Sequence, residues 1–168
     1  KTKSALSIID EEFIPALDLV GARYEKGELF LPQLIQSAEA VKAGFDVIKE
    51  SMPAGEISGD TIVLATVVGD IHDIGKNITG IIFSCNGFEV HDLGVMVEKE
   101  KILDEAERTG ADIIAVSGLI TPSLYQMEEI CREMTSRGMT LPLFVGGATT
   151  SALHTAVKLS PLYGHVFH

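Results

Sequence analysis

After Asp60 the chain alternates short β-branched runs with helical stretches, and this alternation limits the possible fold more than any other feature. Parallel strands need a crossover of a dozen or more residues, usually a helix, so the alternation predicts a parallel sheet flanked by helices. The expected strands are Thr61–Val67, Phe88–Asp92, Asp112–Ser117, Leu141–Val145 and a short run at Val166 and Phe167. The expected helices are Lys76–Cys85, Lys99–Thr109, Ser123–Arg137 and Ser151–Leu159. The fold class is therefore α/β, with five parallel strands.

From Ser4 to Met52 the apolar residues recur instead at helical spacing. The pattern breaks at Glu25–Glu28, and Pro32 suits the first turn of a second helix, where a missing N–H has no cost. Two amphipathic helices cannot bury both faces against each other alone, so we expect part of a helical bundle. The predicted organisation is a helical cap over residues 1–52, incomplete at its start, a linker over 53–60, and an α/β domain over 61–168, incomplete at its end.

Charge and cysteine usage exclude several classes of protein. The 168 residues carry a formal charge of −11, which nucleic acid or an anionic membrane would repel. No apolar run reaches the roughly 20 residues that a membrane span requires. Cys85 and Cys131 form no CxxC pair, and no secretion signal opens the chain, so we expect a cytoplasmic protein.

Small and polar residues follow three of the expected strands. In an open α/β sheet, ligands bind beyond the carboxyl ends of the strands, where the strand order reverses. In the flavodoxin-like (Rossmann-like) order 2-1-3-4-5, the first and third strands flank this point, so one polar ligand could contact all three loops. The loops are Gly69–Asn77, Ser117–Ser123 and Gly146–Thr150.

Two alternative interpretations of these loops are weak. Neither GxGxxG nor GxxxxGK[ST] is present, so a dinucleotide or P-loop site has little support. A phospho-receiver with Asp70 as acceptor fits the fold but leaves His72 unexplained. Three methionines, Met96, Met127 and Met134, are expected to fill the core.

Asp70, His72 and Gly75 form a D-x-H-x-x-G pattern, followed by the serine-containing loop and by Gly146-Gly147. This combination resembles B12-binding domains, and the stretch from Val68 to Leu159 is similar to the B12 domain of cobalamin-dependent methionine synthase. The resemblance implies a cobalamin whose dimethylbenzimidazole tail has left cobalt and enters the α/β domain. It implies that His72 is the lower axial cobalt ligand, with Asp70 as its carboxylate partner and Ser123 completing the relay.

The same resemblance implies further contacts with the cofactor. Residues along the tail are Asp73, Gly75, Ser117, Leu119, Thr121, Gly146, Gly147 and Ala148. Asp73 could equally be a helix N-cap. Side chains over the upper face of the corrin are Tyr24, Phe30, Leu31 and Leu34, although the same residues would also pack helices without any cofactor. Methionine synthases commonly carry phenylalanine at the position of Tyr24, and tyrosine there resembles stand-alone corrinoid proteins.

The implied function is a methyltransferase module that is catalytically incomplete alone. It would take a methyl group from methyltetrahydrofolate onto cob(I)alamin and pass it from methylcobalamin to homocysteine. Its partners would be folate-binding and homocysteine-binding domains and a reductive activation partner, with no nucleic acid and no membrane. Alternatives are a stand-alone corrinoid carrier of a methanol, methylamine or aryl-ether methyltransferase, an adenosylcobalamin mutase module, and a B12-based sensor.

Overall fold

The structure, a computed structural model, describes residues 5–51 and 59–168. The chain forms two compact units: one contains the described residues up to Gly59 together with Ile81–Phe88, and the other contains Asp60–Gly80 with Glu89–His168. Most of the predicted linker, residues 53–60, lies outside the described residues. The predicted domain boundaries therefore stay a prediction.

The second unit contains a five-stranded sheet in the order β2-β1-β3-β4-β5, and every neighbouring pair is parallel. This confirms the flavodoxin-like fold predicted from the sequence. The first strand, which lies between the second and third strands, is buried on both faces, as expected of a parallel sheet covered by helices. The strands are β1 Thr61–Thr66, β2 Glu89–Asp92, β3 Ile113–Ser117, β4 Leu143–Gly146 and β5 Val166–Phe167.

Helices connect these strands at the predicted places. Two of them begin earlier than expected: the helix after β1 starts at Ile74, and the helix after β3 starts at Thr121, with Pro122 in its first turn. The last helical stretch divides into a short α-helix and a π-helical turn. The helices are α4 Ile74–Cys85, α5 Lys99–Thr109, α6 Thr121–Ser136 and α7 Ala152–His154, followed by the π-helical turn Thr155–Leu159.

The core of this unit lies between the sheet and the apolar faces of α5 and α6. Helix α6 buries residues at i, i+3, i+4 and i+7 spacing, which is one face of a helix. Met127 and Met134 are fully buried, as predicted, but the prediction for Met96 is wrong. Met96 is 53% exposed because it occupies a left-handed turn with φ 55°, away from any regular element.

The first unit contains a helical hairpin. Its helices are α1 Ala5–Ile8, a π-helical turn Ile9–Phe13, α2 Ile14–Glu25 and α3 Leu31–Ser51. Gly27, with φ +72°, takes the left-handed conformation that ends α2. At the start of α3 the Gln33 side chain accepts the Phe30 backbone N–H at 2.7 Å, as in half of a capping box. Among the residues that the structure describes, none of the helices has the length and apolarity needed to cross a bilayer.

Candidate functional site

Three loops meet at the carboxyl end of the sheet. The strand register aligns Thr66 of β1 with Ser117 of β3, and Ser117 with Gly146 of β4. The chain segments that follow these residues therefore leave the sheet side by side. The strand order of the sheet reverses between β1 and β3, and open α/β sheets bind ligands at such a point.

Asp70 is the centre of a hydrogen-bond network at this edge. Its side chain is fully buried, and both carboxylate oxygens accept hydrogen bonds. Oδ1 accepts from His72 twice, from Nδ1 at 2.7 Å and from the backbone N–H at 3.0 Å. Oδ2 accepts from Ser123 Oγ at 2.6 Å and from the backbone N–H groups of Leu119 at 2.6 Å and Ile120 at 3.3 Å. The network joins the loops after β1 and β3.

These bonds decide the ionisation of the carboxyl group. Burial alone raises the pKa of Asp70, but hydrogen bonds from the Ser123 hydroxyl, the His72 and Leu119 N–H groups and the His72 imidazole outweigh burial. Together they hold the pKa of Asp70 well below its usual range. Asp70 is therefore a carboxylate at neutral pH.

The state of Asp70 determines the tautomer of His72. A carboxylate can only accept, so Nδ1 of His72 carries the proton and the lone pair of the neutral ring lies on Nε2. The imidazole is 48% exposed, which leaves it accessible to a ligand. The end of β1 also holds this loop, because the hydroxyl of buried Thr66 donates to the His72 carbonyl at 3.2 Å. An imidazole oriented by a carboxylate is the usual arrangement of a metal-binding histidine.

A cavity of about 310 Å³ lies beside this imidazole. Most of the residues predicted to contact the cofactor's tail line it, although Thr121 and Gly146 are not among them. Its lining residues are Ile71, His72, Asp73, Ile74, Gly75, Ser117, Leu119, Gly147 and Ala148. Asp73 directly precedes α4, as an N-cap would, and its side chain also accepts Asn77 Nδ2 at 3.0 Å.

Four glycines near the site have different reasons to be glycine. A methyl group built at Gly75 or Gly146 would meet nothing within 4 Å, so the backbone there borders open space that a long ligand could fill. At Gly147 it would lie 1.8 Å from the Gly118 carbonyl oxygen, and at Gly118 it would lie 2.3 Å from Cβ of Ser123. Gly147 and Gly118 are thus required by the fold itself, the latter so that Ser123 can reach Asp70.

Several residues that shape the site were not predicted from the sequence. Ile71 and Ile74 line the cavity with side chains 66% and 69% exposed, which is unusual for large apolar residues. Their position inside the D-x-H-x-x-G pattern was the available signal. Thr66 could have been noticed as the polar residue at the carboxyl end of a strand whose interior residues are all apolar.

The predicted corrin-covering residues belong to the helical unit. Tyr24 lies near the end of α2, Phe30 directly precedes α3, and Leu31 and Leu34 lie in the first turn of α3. Tyr24, Phe30 and Leu31 are exposed, and Leu34 is half-buried. Their contact with a cofactor stays a prediction.

Known proteins resemble the chain over nearly its full length. Two family models, each described as a B12 binding domain, match residues 60–161 and residues 1–49. A cobalamin-binding protein from Desulfitobacterium hafniense DCB-2 is 32% identical, with a TM-score of 0.80, over 90% of this chain and 72% of that one.

Two further solved structures come from Methanosarcina barkeri. The methanol:cobalamin methyltransferase complex contains a chain 27% identical, with a TM-score of 0.80, over 98% of this chain and 62% of that one. The monomethylamine corrinoid protein is 26% identical, with a TM-score of 0.57, over 93% of this chain and 76% of that one. The present chain thus spans less than two thirds of its counterpart in the methanol complex.

Proposed function

The chain belongs to the B12-binding domain family, and on that premise we propose that it is the cobalamin-carrying module of a methyl-transfer system of the methionine synthase type. Its cofactor is cobalamin. The observation that carries the proposal is the half-exposed imidazole of His72, held in one tautomer by the buried carboxylate of Asp70. The side chain of Ser123 completes this arrangement from the opposite side of the carboxylate.

The described residues fit such a cofactor. Nε2 of His72 is a suitable ligand for cobalt, and Asp70 increases its basicity by accepting a hydrogen bond from the Nδ1–H group. The open backbone at Gly75 and Gly146, with the cavity lined by Ser117 and Leu119, leaves space for the nucleotide tail. The exposed side chains of Ile71 and Ile74 flank His72 in sequence and offer an apolar surface to a macrocycle.

When bound, cobalamin supplies the cobalt centre that accepts and releases the methyl group. The residues of this chain hold and tune that centre. His72 would bind cobalt, and Asp70 with Ser123 would adjust how strongly it binds, since partners of a metal-binding histidine affect affinity by about 10- to 100-fold. Tyr24, Phe30, Leu31 and Leu34 would shield the upper face from water.

The methionine synthase type is supported by the resemblance of two runs, Ile120–Ser123 and Gly146–Thr150, because the D-x-H-x-x-G pattern is common to all the candidates. The expected partners are a folate-binding domain, a homocysteine-binding domain and a reductive activation partner. Since such partners would provide the substrate sites, this chain alone is expected to make no methionine.

A stand-alone corrinoid carrier is the second candidate. Two observations favour it: the likeness to corrinoid proteins of methanol and monomethylamine systems, and Tyr24 in place of the phenylalanine common in methionine synthases. Both candidates assign the same role to His72. They differ in the methyl donor and acceptor.

Partner domains supplied separately would distinguish the candidates. The module, loaded with reduced cobalamin, is mixed with a folate-binding methyltransferase domain and methyltetrahydrofolate, or with a methanol or methylamine methyltransferase and its substrate. We expect methylation with the folate domain, onward transfer to homocysteine with its domain, and no methionine from the module alone. Methylation by the methanol or methylamine enzyme only would establish the second candidate, and turnover without partners would refute the carrier function.

A further inference from the structure

Lys76, in the first turn of α4, has a side chain that is only 1% exposed. Lysine is almost never fully buried unless it is paired. Its Nζ lies 2.5 Å from each carboxylate oxygen of Asp92 and 2.7 Å from Oδ1 of Asn77. The three donors of the ammonium group thus have three acceptors, and two of these belong to a residue at the end of another element, β2.

Asp92 also organises the loop that follows β2, residues 93–97. Its Oδ1 accepts the backbone N–H of Gly94 at 2.9 Å, and Gly94 takes a φ of +84°. Two residues later Met96 also has a left-handed backbone, with φ 55°. For a non-glycine residue this conformation is unfavourable and persists only where the surroundings hold it.

This strained loop is bonded directly to the segment that contains Asp70. The Met96 N–H donates to the Asp70 carbonyl at 3.1 Å, and the Gly94 carbonyl accepts the Thr66 N–H at 2.9 Å. Thr66 is also the residue whose hydroxyl holds the His72 carbonyl. The ion pair therefore connects two segments: the helical turn that follows His72, and the loop that supports Asp70 and Thr66.

We propose that Lys76 is a positioning residue for the axial ligand: its ion pair with Asp92 holds the 93–97 loop in its strained form, and this loop fixes Asp70 and, through it, the His72 imidazole. The inference deepens the proposed function and depends on His72 being the cobalt ligand. Lys76 itself lies outside the residues that line the cavity. Its effect is expected on the histidine–cobalt bond and not on retention of the tail.

The test compares Lys76→Met with Lys99→Met, each loaded with cobalamin and reduced to the cobalt(II) state. Lys99 is the control because it also forms an ion pair between two elements, with Glu129 at 3.3 Å between α5 and α6. Its side chain is 27% exposed and it lies just after the 93–97 loop, so Lys99→Met tests whether loss of any ion-paired lysine near that loop changes the ratio. Electron paramagnetic resonance of protein with ¹⁵N-labelled histidine measures the ratio of cofactor with the histidine ligand to cofactor without it, since a coordinated ¹⁵N nucleus splits the cobalt(II) lines differently from the unlabelled nitrogen of the cofactor's own dimethylbenzimidazole. Thermal unfolding of each apoprotein is measured in parallel, and the ratio is taken well below the melting temperature.

We expect Lys76→Met to lower the ligated ratio about tenfold, the low end for loss of a group that supports a metal ligand, while cobalamin stays bound. Lys99→Met should leave the ratio unchanged. Adding Met96→Gly to Lys76→Met should restore much of the lost ratio, because glycine adopts a positive φ without strain. If Lys76 has only a structural role, Lys76→Met should lower the melting temperature without changing the ligated ratio. Adding Met96→Gly should then leave the ligated ratio unchanged.

The outcomes separate this inference from the function beneath it. If the parent shows the ligated signal and Lys76→Met has the same ligated ratio, the positioning role of Lys76 is overturned and the proposed function is not affected. If Lys76→Met does not fold, Asp92→Asn provides the same comparison, since Asp92 is partly exposed and its loss also frees the loop. A parent protein without the ligated signal overturns the proposed function and this inference together.

Discussion

The two units of the chain prepare their predicted cofactor contacts in opposite ways. At the carboxyl end of the sheet, the Asp70 carboxylate receives five hydrogen bonds from the protein itself, so the orientation of His72 is set before any ligand arrives. In the helical unit, the corresponding side chains are apolar and mostly exposed, with Phe30 at 70%. The sheet end is preorganised by polar contacts, whereas the predicted corrin-covering side chains of the helical unit are left mostly exposed.

Removal of the Asp70 charge should have the largest effect on the preorganised end. In Asp70→Asn an amide NH₂ replaces an acceptor that faces only donors, so we expect the apoprotein to lose about 2–3 kcal/mol. The ratio of histidine-ligated to unligated cobalamin should fall about 10- to 100-fold. Denaturant unfolding and the corrin absorption spectrum measure the two effects. Asp73→Asn is the control for stability, and an Asp70→Asn protein as stable as this control would show that the network is not preorganised.

A second prediction separates glycines needed by the fold from glycines needed by the ligand. Gly118→Ala forces a methyl group to within 2.3 Å of Ser123 Cβ, and overpacking of this kind costs about 1–3 kcal/mol. Gly146→Ala meets nothing within 4 Å, so apoprotein stability should change little while cobalamin affinity falls. Chemical denaturation and equilibrium dialysis give the two quantities. Equal loss of stability in both variants would remove the distinction.

The stability of the apoprotein should depend on pH through Asp70. Because hydrogen bonds hold its pKa below the ordinary value of about 3.9, its ionised form stabilises the fold fully above that value. As the pH falls below about 4, the unfolded chain binds a proton that the folded protein does not, so this stabilisation is lost towards the lower folded pKa. Between pH about 6 and about 3 the parent should lose about 1 kcal/mol more than Asp70→Asn. Identical pH profiles would contradict the prediction.

The smallest stability effect is expected in the helical unit. Phe30→Ala and Leu31→Ala should each change apoprotein stability by less than about 0.5 kcal/mol, because substitutions of exposed side chains rarely do more. Photolysis of bound methylcobalamin should nevertheless be faster, since a looser enclosure lets the methyl radical escape. Illumination for fixed times, followed by absorption spectroscopy of the corrin, measures the rate of photolysis. Unchanged photolysis in both variants would assign these side chains to helix packing only.

The fold could be predicted from the sequence because the alternation of strand and helix patterns is a local property. The loops after β1 and β3 could also be assigned, since Asp70, His72 and Ser123 carry the family pattern. The contacts of backbone groups could not be predicted. The N–H groups of Leu119 and Ile120 donate to Asp70, and these bonds depend on the relative positions of the loops that follow β1 and β3. No sequence pattern reports such an orientation.

Met96 shows a second limit of prediction. An apolar residue after a strand is usually buried, but here the turn geometry imposed by Asp92 and Gly94 turns its side chain outward. The close approach of Gly118 to Ser123 is equally invisible in the sequence, because the two residues meet only through the conformation of the turn that leads from β3 into α6. These features follow from tertiary packing, which single-residue preferences do not contain.

The central claim is that His72 binds cobalt, and its most direct test is the spectrum of His72→Gly loaded with cobalamin. The account predicts that the cobalt(II) form of the parent shows nitrogen splitting in electron paramagnetic resonance, and that the splitting pattern changes when the histidines are ¹⁵N-labelled, which excludes the cofactor's own dimethylbenzimidazole as the ligand. It predicts that His72→Gly loses the splitting, keeps the cofactor through gel filtration because the cavity remains, and regains the splitting with added imidazole. A His72→Gly protein that retains the parent spectrum without imidazole would contradict the account.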